Sequence, residues 1–296
     1  MNITSIGEIL FDIYPTHKKL GGAPLNFIHH IKKLTGNGNI ISRVGKDVLG
    51  NKIINELKHA GISSEYIQYD NLHPTGLAIV SVDVNGNPHF KIEPDCAYDF
   101  IEANDENFSL INSETDCLYF GTLAQRSATT RETIQSFFGQ GLKYFADLNL
   151  RQDFYNEEIL SATLLAADFI KVNYEEMHVL NDLFIQSEYS TERVAFELME
   201  RFSLNMIAVT RGENGSSIFE NGKRYDYSNV EAKVVDTTGA GDAFAAILCL
   251  GYLSGLEIPY ISKLANDFAS DICQFEGAIP KSDRLYDSFR EQLGIF

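Results

Sequence analysis

Positive charge is scarce in this chain. Its 296 residues carry 24 Lys and Arg against 41 Asp and Glu, a formal net charge of −17 at pH 7. Nucleic acids and anionic membranes are held by basic surfaces, so the balance excludes both as partners. Cysteine is scarce as well. Cys96, Cys117, Cys249 and Cys273 are scattered without a CxxC pair, which argues against a zinc cage or a disulfide framework and fits a reducing cytoplasm. No stretch reaches the roughly 18 uninterrupted apolar residues of a membrane span. Met1 to Glu8 lacks the basic flank and apolar core of a secretory signal. Neither GxxxxGK[ST] nor a strict GxGxxG occurs, so P-loop enzymes and Rossmann-type dehydrogenases lack their fingerprints. There is no internal repeat, low-complexity tract or long linker.

What the chain does hold is an ordinary globular composition, 44% hydrophobic and 22% charged, in a length that buries a substantial core. Asn2 to Ile13 reads as one strand, Gly21 to Leu34 as a Gly-rich turn into a helix, Ile40 to Val44 as a strand, and Val48 to Ala60 as a helix. This βαβα alternation predicts a mostly parallel sheet covered by helices. It is interrupted at Gly76 to Val84, where Ala78, Val80, Val82 and Val84 alternate with period two. Asn85-Gly86 then turns the chain into a second strand, 89 to 92. Such a hairpin suits a lid, a dimer contact or an edge of the main sheet. Further strands are predicted at Cys117–Phe120, Tyr144–Leu148, Phe169–Val172 and Met206–Thr210. A second hairpin joins Ser216–Phe219 to Lys223–Tyr227. Helical stretches are predicted around Leu253–Leu256 and Tyr260–Cys273.

The most informative segment is Asp236-Thr237-Thr238-Gly239-Ala240-Gly241-Asp242-Ala243-Phe244. It places two glycines and a carboxylate at the mouth of the apolar helical run Ala243 to Leu253. A helix N-terminus offers unpaired N–H groups and about half a positive charge, a natural phosphate site. Asp242 is out of place among anions. As a first-turn acid it is worth about a few tenths of a kcal/mol; as a general base it would take the proton from an attacking hydroxyl.

Every fixed position of DTxGAGD is filled here, and the segment resembles the C-terminal signature of the ribokinase-like, or PfkB, family of sugar and nucleoside kinases. The resemblance covers nearly the whole chain. It implies a three-layer α/β fold with a central, mostly parallel sheet and a small β-hairpin lid, in one kinase domain spanning 1–296 with the lid at about 72–100. By the same resemblance Gly239, Ala240 and Gly241 form the anion hole and Asp242 is the catalytic base. Gly21-Gly22-Ala23-Pro24-Leu25-Asn26 matches the GGAPxN element that closes over the sugar, and Gly7 to Asp12 the first strand, with Asp12 binding substrate. On the residues alone, Asn26 reads equally as a helix cap.

Asp147-Leu148-Asn149-Leu150-Arg151 resembles the DxNxR segment of fructokinases and 2-keto-3-deoxygluconate kinases, which gives Arg151 to the substrate. Lys171 to Glu176 matches NxxE, so Asn173 is expected near the nucleotide and Glu176 near magnesium, through water; the plainer reading of Glu176 is a first-turn helix acid. Thr210, Gly212 and Gly215 belong to a TxGxxG-like nucleotide turn, and Asn266 lies where the family places adenine contacts. Asp236 and Thr238, beside 273–278, are expected to hold a monovalent cation, potassium. Gly45 to Gly50 matches GxDxxG, with Asp47 as a helix cap.

The expectation is an ATP- and magnesium-dependent kinase for a primary hydroxyl of a small sugar, with fructose favoured by the GGAPLN and DLNLR spellings. The alternatives are a 2-keto-3-deoxygluconate kinase, a ribokinase-type enzyme and a catalytically silent sugar- or nucleotide-binding regulator. The expected partners are sugar and ATP, with a homodimer formed through the lid; the expected location is the cytoplasm.

Overall fold

The computed structural model describes residues 1–82, 88–228, 234–280 and 282–295. The chain begins with β1 (Ile3–Ile6), β2 (Leu10–Ile13), β3 (Lys18–Gly21), α1 (Ala23–Thr35), β4 (Asn39–Gly45) and α2 (Val48–His59). Next come β5 (Ile67–Asp70), β6 (Gly76–Val82), β7 (Pro88–Ile92), α3 (Asp105–Glu114), β8 (Cys117–Phe120), α4 (Ala128–Ser136) and β9 (Lys143–Asp147). They are followed by α5 (Glu157–Ala166), β10 (Phe169–Asn173), α6 (Tyr174–Leu180), α7 (Thr191–Phe202), β11 (Met206–Thr210), β12 (Ser216–Glu220) and β13 (Lys223–Tyr227). The chain closes with α8 (Ala240–Leu253), α9 (Ile258–Ile272) and α10 (Arg284–Leu293).

Nine strands form one sheet in the order β13-β12-β11-β10-β9-β8-β1-β4-β5. It is parallel from β11 to β5, with β12 and β13 added antiparallel at one edge. Central strands such as Cys117–Phe120 are buried along their whole length, and so read as continuous apolar runs. Successive side chains point to opposite faces. Cys117 and Tyr119 join Phe27, Ala246 and Phe268 in one core, while Leu118 and Phe120 join Ile134, Leu160 and Leu198 in the other. Helices α1, α8 and α9 therefore cover one face and α4, α5 and α7 the other, which gives the three-layer α/β architecture the motifs imply. Each fully buried large side chain contributes about 1.5–3 kcal/mol. Ring stacking of Phe27 on Tyr119, with centroids 3.8 Å apart, locks α1 to the sheet.

The segment Asn2–Ile13 is two strands, not one. The pairing of β1 with β8 ends at Ile6, and β2 then joins a separate sheet of order β3-β2-β6-β7. In that sheet β2 is antiparallel to β3 and parallel to β6. The small sheet thus has four strands drawn from two separate parts of the chain, and the expected hairpin forms half of it. Ala78 and Val80 are buried, as their alternation implies; Val84 and the Asn85-Gly86 turn lie outside the described residues. Leu253–Leu256 is the end of α8 and the turn after it, where Ser254 and Gly255 close the helix. No helix among the described residues is long and apolar enough to cross a membrane.

Candidate active site

Three neighbouring strands end in site residues: β9 at Asp147, β10 at Asn173 and β11 at Thr210. This is the carboxyl edge of a parallel sheet, where open α/β folds bind ligands. A cavity of about 610 Å³ opens there, between the sheet, the mouth of α8 and the small sheet. Its walls include Glu8, Asp12, Gly22, Asn26, Arg151, Lys171, Asn173, Glu176, Thr210, Asp236, Thr238, Gly239, Gly241 and Asp242. Segments far apart in sequence, each expected at the site, therefore meet in one place.

Helix α8 starts after Gly239, whose φ of 78° is left-handed, and no side chain caps it. A Cβ at Gly239 would lie 2.2 Å from the Ala278 Cβ, so only glycine fits between the two loops. The Ala240 amide donates to the Thr237 carbonyl at 3.2 Å, and Ala240 does not line the cavity; Gly239 and Gly241 do. Asp242 follows in the first turn. The Asn26 amide Nδ2 donates to its Oδ2 at 2.8 Å, while the buried Asn26 Oδ1 has no partner among the described residues. Asn26 is not a cap: α1 begins at Ala23, and Gly22 stands before it. A Cβ on Gly22 would lie 2.4 Å from the Glu8 carbonyl oxygen, at a φ of 112°. Burial, reinforced by the Asp147 charge, raises Asp242 to about 6, against the opposing effects of Asn26, Lys171 and Arg151.

A buried ammonium lies beneath the helix mouth. Lys171 Nζ is 3.1 Å from both oxygens of the fully buried Asp147, and it would be 3.0 Å from a Cβ on Gly241. Tyr119 donates to Asp147 Oδ2 at 3.2 Å. Burial pulls Lys171 down, but the charges of Asp147, Glu176 and Asp242 outweigh it and hold the ammonium above the usual lysine range. Four further carboxyls line the cavity: Glu8, Asp12, Glu176 and Asp236. Burial raises Glu8 to about 7 and Asp12 to about 6, and Arg151 opposes the shift at both, as it does at Asp242. Burial also raises Glu176. Its Oε1 accepts from the Leu150 amide at 2.7 Å and its Oε2 from the Asn173 amide at 2.8 Å, while Asn173 Oδ1 accepts from the Glu176 amide at 2.8 Å. Glu176 is thus half of a capping box, and its carboxylate ties the strand ends of β9 and β10 together.

The Asp236 carboxylate is saturated by donors. Oδ1 accepts from the Thr238 amide at 3.0 Å and hydroxyl at 2.7 Å, and Oδ2 from the Gly277 amide at 2.9 Å and Lys19 Nζ at 3.1 Å. Burial acts against its ionised form, yet these bonds hold Asp236 at about 2. Three expected nucleotide residues, Gly212, Gly215 and Asn266, stand apart from the cavity walls. Gly215 follows a short turn that includes Gly212, on the far side of Arg211 from Thr210. Asn266 is buried in α9, donating to Ser216 Oγ at 2.7 Å and the Ser262 carbonyl at 2.6 Å. Gly21 packs against Asp12, whose Oδ2 would lie 2.9 Å from a Cβ at that glycine, and it lines a neighbouring cavity.

The model of the pfkB family of carbohydrate kinases matches residues 10–284. The chain belongs to this family. An uncharacterized sugar kinase of Pyrococcus horikoshii is 29% identical over 98% of this chain and 97% of that protein. Its ATP complex superposes with a TM-score of 0.83 at 26% identity, over 98% and 99% of the two chains. Escherichia coli fructokinase is 27% identical over 85% of this chain and 83% of its own. A Vibrio cholerae fructokinase, solved with fructose, ADP and a potassium ion, shares the fold at TM-score 0.80 and 22% identity, over 97% and 98% of the two chains. This carbohydrate kinase is thus a phosphotransferase acting on a sugar.

Within the kinase site, Lys171, Asp147 and Glu8 are the residues that motif reading passed over as candidates. Each stands inside a recognised motif, but none is one of the positions singled out from it. The signal that was present is chemical. A lysine inside the apolar strand FIKVN and an acid closing the strand KYFAD are each costly alone, and they are stable as a buried pair.

Proposed function

We propose that this kinase transfers the γ-phosphoryl group of ATP to a primary hydroxyl of a neutral ketose, fructose, with Asp242 as general base. The observation that carries this reading is Asp242 itself: half-buried, raised to about 6, bonded on Oδ2 by Asn26, at the uncapped mouth of α8. A base of that strength is ionised at neutral pH and still accepts a proton readily. The sugar oxygen attacks the γ-phosphorus, its bond to the β-phosphate oxygen breaks, and ADP leaves. The hydroxyl proton passes to Asp242 Oδ1, the oxygen Asn26 leaves unbonded. The first-turn amides of α8 and the Lys171 ammonium face the charge that develops on the transferred group. Asn26 Oδ1 and Asp12 receive sugar hydroxyls, and Asn173 and Thr210 lie toward the nucleotide.

The donor set suits magnesium held through water. Each Glu176 oxygen accepts one backbone N–H and keeps a further lone pair, and Asn173 stands beside it. Bound there with ATP, magnesium would neutralise phosphate charge.

Charge favours a neutral sugar over 2-keto-3-deoxygluconate. Arg151 acts on Glu8, Asp12 and Asp242 together, so a substrate carboxylate would compete with three acids for one guanidinium. A cytoplasmic location fits the ATP supply and the four free thiols. The small sheet would serve as both lid and dimer contact, with Ile79 exposed on its outer face. The test is ADP release measured with fructose, 2-keto-3-deoxygluconate, ribose and adenosine. Fructose should give the highest kcat/KM; a preference for the acid sugar would overturn the charge argument.

A further inference from the structure

Lys19 is a strand residue of the small sheet, paired in register with Asp12. Its side chain leaves that sheet and crosses to the loops around the anion hole. Nζ lies 3.1 Å from Asp236 Oδ2 and 3.4 Å from Glu276 Oε1, with the Tyr14 ring centroid at 5.4 Å. Lys19 and Asp236 are each about four-fifths buried at the side chain, so this pair is not a solvated surface contact. Asp236 opens the turn that ends at Gly239, where α8 begins, and Gly277 and Ala278 belong to the loop packed against that turn.

A carboxylate has about four lone-pair positions. At Asp236 all four are taken by protein donors: two from Thr238, one from Gly277 and one from Lys19. A metal ion ligated by this carboxylate would have to displace one of them, and the ammonium is the donor whose charge it would duplicate. The residues present therefore do not fit the potassium ion expected at Asp236 and Thr238. They already contain a monovalent cation of similar charge and size, covalently attached.

Resting on the kinase reading above, we infer that Lys19 is a tethered cation that orders the 236–239 turn, and that this enzyme needs no free monovalent ion. Attachment to the chain keeps the charge in place without drawing on a pool of ions. It also has a directional consequence. Because Lys19 belongs to the small sheet, it reaches the turn only when that sheet is seated over the cavity.

The test compares wild type with Lys19→Met in buffers whose sole monovalent cation is tetramethylammonium, then with potassium or ammonium chloride added at constant ionic strength. Wild-type kcat/KM should change by less than about twofold. The variant should lose about ten- to hundredfold and recover most of it with potassium or ammonium, the range typical of a coupled site. Rescue by a free ion is a readout that a purely structural role would not produce. Wild type gaining more than about fivefold from potassium would overturn the inference. So would a folded variant that loses nothing, or one that no cation restores. Calorimetric ATP binding reads the same site without turnover: potassium should tighten binding to the variant and leave wild type unchanged. If no sugar is phosphorylated, the substrate reading fails while this arm still decides the role of Lys19.

Discussion

Asn26→Ala separates two tasks that one side chain performs. Its Nδ2 donates to Asp242 Oδ2 at 2.8 Å, and its Oδ1 is buried without a partner among the described residues. A hydrogen bond to a charged group is worth about 1.5–3 kcal/mol, and about 1.4 kcal/mol corresponds to one pH unit. Losing the donor removes an influence that holds the base down, so the acid limb of kcat should move upward by about one to two pH units. Asp242 starts at about 6. At pH 6.5 the ionised fraction, and with it kcat, should fall by about three- to twenty-five-fold, and near pH 9 it should return to within about twofold of wild type. The lost acceptor acts on sugar alone. It should raise the sugar KM by about two- to tenfold at every pH, the worth of one neutral hydrogen bond. Direct chromatographic measurement of ADP across pH 5–9 avoids coupling enzymes with their own pH limits. An unmoved acid limb in a folded variant would refute the idea that Asn26 tunes the base; a pH-independent loss of kcat would place its role elsewhere.

Asp242→Asn should keep ATP binding but lower kcat by about 10²–10⁴-fold, and a variant within tenfold of wild type would remove Asp242 as the base. Lys171→Met should lose activity and also stability, because it leaves Asp147 buried and unpaired; adding Asp147→Asn should restore the melting temperature but not kcat. Recovery of both in the double variant would mean that Lys171 serves only the fold. Replacing residues 77–91 by a short Gly-Ser linker should spare ATP binding, raise the sugar KM steeply and increase ATP hydrolysis uncoupled from sugar, since Ala78 in the removed segment lines the cavity. Normal KM with tight coupling would reduce β6 and β7 to an edge ornament.

The helix mouth was legible because its chemistry is local. Glycines that admit a ligand and an acid in the first turn stand next to one another in the chain, and the fold leaves them adjacent. The parallel strands were legible for a related reason: burial on both faces writes itself as a continuous apolar run. The break between β1 and β2 was not. Both strands are apolar and extended, and what distinguishes them is which sheet each hydrogen bonds to, a long-range choice that Gly7 to Ile9 barely marks. The edge strand β5 and the amphipathic α10 were missed as well, since short or polar-faced elements owe their form to the surface they pack on. On the residues alone a cap could not be separated from a sugar ligand at Asn26, because the cap position depends on where α1 starts, four residues earlier than Asn26 as a cap would require. Lys19 had no signal at all. Its partners Asp236 and Glu276 lie far along the chain, and nothing nearby in sequence marks it off from Lys18.

The small sheet draws its strands from two separate stretches of chain, and one of these runs directly from β3 into α1, the helix that carries Asn26. A sheet built this way is not a cassette. Transplanting 76–92 from a relative with another sugar preference would bring new contacts to the cavity but leave β2 as a foreign partner, with Asp12 and Asn26 unchanged on the cavity wall. Changes of specificity in such an enzyme must therefore arise as matched changes at two distant places in the gene. The cheapest evolutionary moves are single side-chain exchanges on the cavity wall, because they leave the joint between the two stretches intact.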